Sequence, residues 1–251
     1  MKKMVKKILI IIGIIIITLI GLLIWAVARD FKQEEILKQE IINYSNKDFI
    51  KDDFPIDIKS KGDYAYIEKA IKKYYKELAD NIKIINYYIN SDELTNILSI
   101  QNLEQDRPNF IKSHAAINKI RDKTTKAIEN ISKLCEKNTI DNLINKDKID
   151  EYNYELYLNI MYTNQDIKQL EQTNKEMEEI SSNLTALLDK LDEILNFFEA
   201  NNYSWISQND QLYFETDNLV TAYNSLYKEL FDILNKFDYN EISNNSKNEQ
   251  L

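Results

Sequence analysis

Residues 151–200 read EYNYELYLNIMYTNQDIKQLEQTNKEMEEISSNLTALLDKLDEILNFFEA. Within them Leu156, Thr163, Leu170, Met177, Leu184, Leu191 and Phe198 recur every seven residues, and Ile160, Ile167, Asn174, Ser181, Leu188 and Leu195 each follow four residues behind. A repeat of seven split four and three is the spacing at which an α-helix keeps one apolar seam turned toward a partner. Six heptads in one phase predict a helix from Asp147 to Asn201, about 80 Å long. Thr163-Asn164-Gln165-Asp166 is the one place where it would divide in two, although neither glycine nor proline marks it. Asn174 and Ser181 are the polar members of the seam, residues that fix register and partner at a cost in stability.

A helix with one apolar seam has to bury it against other helices, and the rest of the chain supplies them. After Asp63, a capping residue, come Ile67, Ile71, Tyr74, Leu78, Ile82, Ile85 and Ile89, one face of a helix running to Asn90. Ser91-Asp92-Glu93 opens a short helix ending near Ser99. Asp106 with Pro108 in its first turn predicts another long helix, with the seam Phe110, Ser113, Ile117, Ile120, Thr124, Ala127, Ile131 and Leu134. Thr139 to Asn145 reads as a connecting helix. Gln208-Asn209-Asp210 between Ser204-Trp205-Ile206-Ser207 and Gln211-Leu212-Tyr213-Phe214 reads as a small β-hairpin. Thr216 or Asp217 caps a last helix with the seam Leu219, Tyr223, Leu226, Leu230, Ile233 and Phe237. Beyond residue 28 the chain holds only Gly62, Pro55 and Pro108 as special turn residues, too few for an all-β fold of this size. The expectation is an all-α fold: an elongated antiparallel helical bundle of coiled-coil type (63–238) with one hairpin, preceded by a helix and connector (29–62) in which a short strand fits at Ile56 and Ile58, and followed by a polar, disordered tail (239–251).

The N-terminal part has a different character. Ile8 to Ala28 is a run of 21 residues without a charge, about 31 Å as a helix, the thickness of a bilayer's hydrocarbon core. Lys2, Lys3, Lys6 and Lys7 precede it, which keeps the tail 1–7 on the cytoplasmic side and turns the remainder outward. A cleaved leader ending at Ala26-Val27-Ala28 is the rival reading; the run is longer than the apolar region of most leaders. The expected location is the cell membrane, single-pass, with the C-terminal domain extracytoplasmic. Heavy use of Ile, Lys and Asn fits an AT-rich bacterial genome. The seven residues ahead of the span are too few for a signalling output domain, so a sensor of this form would act with a separate membrane partner.

All 41 acids lie after residue 28 with 28 of the 32 bases, a net charge of −13 on the outer part. Such a field opposes nucleic acid and anionic lipid as partners. Charge is also segregated. Lys112 to Lys137 carries seven bases against three acids and Asp166 to Glu199 three bases against nine acids, as if the two segments pair across neighbouring helices.

Catalytic and metal-binding sets are missing from the sequence. His114 is the only histidine and reads as an exposed helical residue; Cys135 is the only cysteine and reads as core filler. Glycine-rich phosphate loops are absent. Carboxylate pairs such as Glu178-Glu179 and Asp192-Glu193 fall outside the seam and read as solvated faces. The expectation is therefore no enzyme, no cofactor and no metal. The 16 tyrosines suit packing at helix edges, rings inward and hydroxyls wet.

Two candidate sites remain. Trp205, Tyr213 and Phe214 in the hairpin either contact a partner or plug the end of the bundle. Asn174 and Ser181 would line a cavity if a ligand lodged between helices. The leading expectation is a non-enzymatic, membrane-anchored cell-envelope protein, a helical interaction or scaffold module that engages another envelope protein; the alternative is a ligand-binding ectodomain for a small molecule or peptide. A heptad seam is satisfied within one chain or between chains, so a homo-oligomer stays open.

Overall fold

The computed structural model describes residues 32–162 and 164–248, and the chain is mostly helical with one two-stranded antiparallel sheet. The elements are α1 (Lys32–Ser45), α2 (Asp63–Ile89), α3 (Asp92–Thr95), α4 (Ile100–Asp106), α5 (Ile111–Leu134), α6 (Lys137–Asp141), α7 (Glu151–Met161), α8 (Asn164–Ala200), β1 (Trp205–Gln208), β2 (Gln211–Phe214) and α9 (Asp217–Asn248), with a 3-10 turn at Lys146–Lys148. The tail 1–7 and the apolar run 8–28 lie outside the described residues. Among the described residues no helix is long and apolar enough to cross a membrane.

The described chain forms two compact units. The first, residues 32–85 and 127–178, is built on the seam of α2. Ile67, Ile71, Tyr74, Leu78, Ile82 and Ile85 are all buried, together with Leu37, Ile41 and Tyr44 of α1. The first half of α2 is covered on a second side too, so Glu68 and Lys72, one helical turn apart, are almost fully buried at 1% and 2% exposure. The Lys72 ammonium lies 2.6 Å from Glu40 of α1 and 2.6 Å from Glu68, and donates to the carbonyl of Asp57. Glu40 also receives Lys59 at 2.7 Å. The second oxygen of Glu68 accepts from the Ser60 hydroxyl at 2.6 Å and the Ser60 amide at 2.8 Å, and the Lys59 amide donates to the same carboxylate.

Residues 46–62 hold no strand, including at Ile56 and Ile58 where one was expected. The amides that end the connector are bonded to side chains, Lys59 and Ser60 to Glu68 and Lys61 to Gln33. Phe49 and Phe54 of the connector stack at 4.9 Å and pack against Tyr44 and Tyr75. The connector is thus part of the core.

Burial pushes the Glu40 and Glu68 carboxyls upward. Hydrogen bonds outweigh it and hold both below their ordinary value of 4.5, those to Glu40 from Lys59 and Lys72, those to Glu68 from Lys72, Ser60 and Lys59. A carboxyl lowered in the folded state adds stability above its unfolded pKa, and that contribution is lost as pH falls through the folded value. The thermal midpoint is therefore expected to be level near neutrality and to fall progressively below about pH 4.5. Glu68→Gln should flatten that decline in a series of melts from pH 7 to pH 3; an unchanged slope would place the acid sensitivity elsewhere.

The heptad segment Asp147–Asn201 is two helices, divided beside Thr163-Asn164-Gln165-Asp166, the one place named for a break. Asp150 caps α7 by accepting from the Asn153 amide, and Tyr162, at φ −133 and ψ 104, ends it. Two tyrosines set the phase of α7 apart from that of α8. Tyr157 donates to the carbonyl of Ile140 at 2.6 Å and Tyr162 to that of Lys137 at 2.8 Å, tying α7 to the α6 turn. The buried face of α7 is accordingly Asn153, Tyr157, Ile160 and Met161, while Leu156, a seam residue by sequence, is half-buried.

The second unit, residues 86–126 and 179–248, contains the seam of α5, where Ser113, Ile117, Ile120 and Thr124 are buried; farther along α5, in the first unit, Ala127, Ile131 and Leu134 are buried as well. The helix starts at Ile111 and not at Asp106. Arg107, ahead of Pro108, is pushed out of the helical region to ψ 155, and Phe110 takes a left-handed φ of 45. Asp106 still caps it from the end of α4, its carboxylate accepting from the Lys112 and Ser113 amides at 3.2 and 2.7 Å. α4 itself, which periodicity did not resolve, is capped by Ser99, whose hydroxyl accepts from the Asn102 amide.

In α8 the columns Leu184–Leu191–Phe198 and Leu188–Leu195 are buried as the heptads require, and a third column, Leu187 and Ile194, is buried beside them. A strip this wide is that of a helix packed on several neighbours, broader than a two-helix seam. Arg121 meets Asp189 at 2.6 Å and His114 Nδ1 meets Asp192 at 2.6 Å, so the basic face of α5 pairs with the acidic face of α8. His114 is partly buried by that contact, where an exposed residue was expected. The final helix α9 continues to Asn248, through most of the tail 239–251 that composition read as disordered; no glycine or proline interrupts it.

Candidate interaction face

The hairpin turns on Asn209 and Asp210, both left-handed at φ 52 and 56, the pair of positive φ values that a two-residue loop needs to match strand twist. Trp205 faces Phe214 and Ile206 faces Tyr213 across the strands. Alternation then sends the two members of each pair to the same side of the ribbon.

The inner side closes the second unit. Trp205 is 1% exposed, its ring 5.1 Å edge-on from that of Phe198, its indole N–H donating to the Phe198 carbonyl at 3.4 Å. The Arg107 guanidinium sits 4.3 Å above the Trp205 ring and donates to the side chain and carbonyl of Asn202. Phe214, half-buried, stacks on Phe198 at 6.2 Å and touches Tyr223 of α9 at 5.1 Å. Burial pushes the Tyr223 phenol up, out of the range where it would ionise. The Ser207 hydroxyl donates to Glu104 of α4 at 2.8 Å, pinning β1 to the neighbouring helix.

The outer side is open. Ile206 is 59% exposed and Tyr213 45%, side by side, and Tyr203 just before the strand is 91% exposed. Of the three hairpin residues singled out by sequence, Trp205 is thus a plug and unavailable to a partner, Phe214 is half-covered, and Tyr213 alone faces outward. Ile206 and Tyr203 were not foreseen; the strand register that puts them outside could have been read from pairing the two apolar runs about the Asn-Asp turn.

Asn174 and Ser181 of the polar seam are both half-buried. The Asn174 Oδ1 atom is buried and makes no hydrogen bond. Among the described residues no group of three or more histidine, cysteine, aspartate or glutamate side chains could hold a metal ion. Cys135 is buried, and burial pushes its thiol up to about 12. Comparison with known proteins finds no family model that matches the chain, and no curated protein or solved structure that does. The functional reading therefore stands on geometry and sequence alone.

Proposed function

We propose that this chain is a non-enzymatic, membrane-anchored cell-envelope protein. Its outward helical domain, an antiparallel bundle, serves as an interaction module that holds another envelope protein against the hairpin. The observation that supports this is the outer face of the ribbon. Ile206 and Tyr213 stand side by side on that face, with Tyr203 exposed just ahead of the strand, and the ribbon beneath them is packed through Trp205 on Phe198 and Arg107. Aromatic side chains presented on a fixed support are the groups that carry most binding energy in protein interfaces. The basic N-terminal tail and the uncharged run 8–28 support the anchor and its orientation.

A photo-crosslinking residue placed at Tyr213 in the full-length chain, in native membranes, is expected to give a discrete heavier adduct that Ile206→Asp removes. The same residue at Tyr152, which is more exposed than Tyr213 and lies in the other unit, is expected to give none. Absence of an adduct at Tyr213, or equal adducts at both positions, would sink the reading. A second reading, a ligand-binding ectodomain acting with a separate membrane partner, draws support from the buried and unbonded Asn174 Oδ1, an acceptor that a polar ligand between helices would satisfy.

A further inference from the structure

The last helix has more apolar surface than its own fold covers. Its core-facing row is Leu219, Tyr223, Leu226, Leu230 and Ile233, all half-buried or buried. One residue further on runs a second row, Val220, Asn224, Tyr227, Phe231 and Leu234, with steps of four, three, four and three. It lies about 100° round the helix from the first. Val220 is 38% exposed, Tyr227 40%, Phe231 63%, and Asn224 is exposed. Leu234, at the end of the row, is half-buried, so among the described residues the row is a heptad-spaced strip that the fold covers only in part.

We propose that the row is a homodimer seam: α9 pairs, parallel and in register, with α9 of a second copy of this chain. Three observations select that occupant. The first is the position of Asn224. In the heptad frame set by Tyr227 and Phe231 it falls where a lone asparagine specifies a parallel two-stranded register, because its amide meets the identical amide of the other helix. A foreign helix would need its own polar group at that level.

The second is charge. The part of the chain after residue 28 carries −13, which opposes the approach of an identical body. The five residues of the row are all uncharged, and the two charged residues between Asn224 and Phe231 are Lys228 and Glu229, the latter paired with Lys190 of α8 at 2.7 Å. Between Val220 and Leu234, therefore, no like charges face each other across the row.

The third is the anchor. Residues 1–31 lie outside the described part and contain the basic tail and the uncharged run, which by the reading above hold every copy in the membrane by the same end. Two copies so held stand side by side with like ends together, which makes the pairing of the same helix parallel and brings identical residues level. Tethering in one plane also raises their effective concentration. This step alone rests on the proposed anchoring; the hairpin face is separate from it.

The test uses the full-length chain in its native membrane, with Cys135→Ser as background and a mild oxidant. Asn224→Cys is expected to give a disulfide-linked species of twice the chain's mass. Ser225→Cys, exposed but on the other side of α9, is expected to stay monomeric. Phe231→Glu added to Asn224→Cys should abolish the dimer while leaving the thermal midpoint and the Tyr213 crosslink in place, since Phe231 is mostly exposed. A dimer from both cysteines, from neither, or an adduct of Asn224→Cys with a different protein would overturn the proposal. Loss of the Tyr213 adduct with the dimer intact would overturn the hairpin reading instead.

Discussion

Lys72→Met is expected to destabilise the fold by about 3–5 kcal/mol, the range seen when one partner of a buried ion pair is removed and the other left uncompensated. Methionine fills nearly the volume of the lysine stem, so the loss is electrostatic. Glu40 and Glu68 would stay buried, no longer joined by the ammonium 2.6 Å from each. Total stability of a domain is about 5–15 kcal/mol, so the variant should unfold at a much lower urea concentration. Glu68→Gln should cost less, because an amide oxygen still accepts from the Ser60 and Lys59 amides. Replacing Glu40, Glu68 and Lys72 together by apolar residues removes the charges but leaves those two amides without an acceptor, so part of the penalty should remain. Urea unfolding of the three variants, followed by near-ultraviolet circular dichroism, orders them. If Lys72→Met unfolds at the midpoint of the natural chain, the network contributes nothing to stability.

Trp205→Ala is the second large effect, about 3–5 kcal/mol. The indole is 1% exposed between Phe198 and the Arg107 guanidinium, and alanine would leave a cavity under the hairpin and an unstacked cation beside it. Tyr213→Ala on the opposite side of the same ribbon should stay within about 0.5 kcal/mol. The contrast matters for any binding experiment. Loss of a partner with Trp205→Ala would report a loosened plug, whereas loss with Tyr213→Ala would report a contact. Melting curves of both variants separate the two; equal midpoints would mean that Trp205 is not structural.

Periodicity carried most of the helical reading. Every seam residue named for α2 and α5 is buried, Ser113 and Thr124 included, because the 3.6-residue period fixes which side chains share a face whatever their polarity. Asn209-Asp210 located the hairpin turn, since few other pairs accept two left-handed conformations, although Gln208, read as part of the turn, is the last residue of β1. The break beside Thr163-Asn164-Gln165-Asp166 is marked in the sequence as the one place where the helix could divide but is not decided there, because two tertiary bonds accompany it: phenol hydroxyls reaching carbonyls of Lys137 and Ile140 far back in the chain. The buried Glu68–Lys72 pair escaped for a different reason. An acid four residues before a base on a helix is also the commonest surface pattern, and only the wrapping of α1 and the connector turns it inward. Within the candidate site, the hairpin was legible and the roles of its side chains were not. Register decides which of Trp205 and Tyr213 faces out, and a slip of one residue would exchange them. The second row of α9 was written in the sequence all along, hidden by being one step out of phase with the first.

The ion pairs between α1, the connector and α2 also have a mechanical meaning. A segment rich in turns between two helices would ordinarily act as slack, absorbing tension by straightening. Here Glu40 and Asp57 hold one ammonium from both sides, and Glu68 grips the backbone of Lys59 and Ser60. A pull or twist applied at Lys32 would meet this clasp within the length of α1 and pass directly to α2. Residues 32–62 are in that sense a rigid strut, and force reaching them has nowhere to dissipate before the helices of the domain.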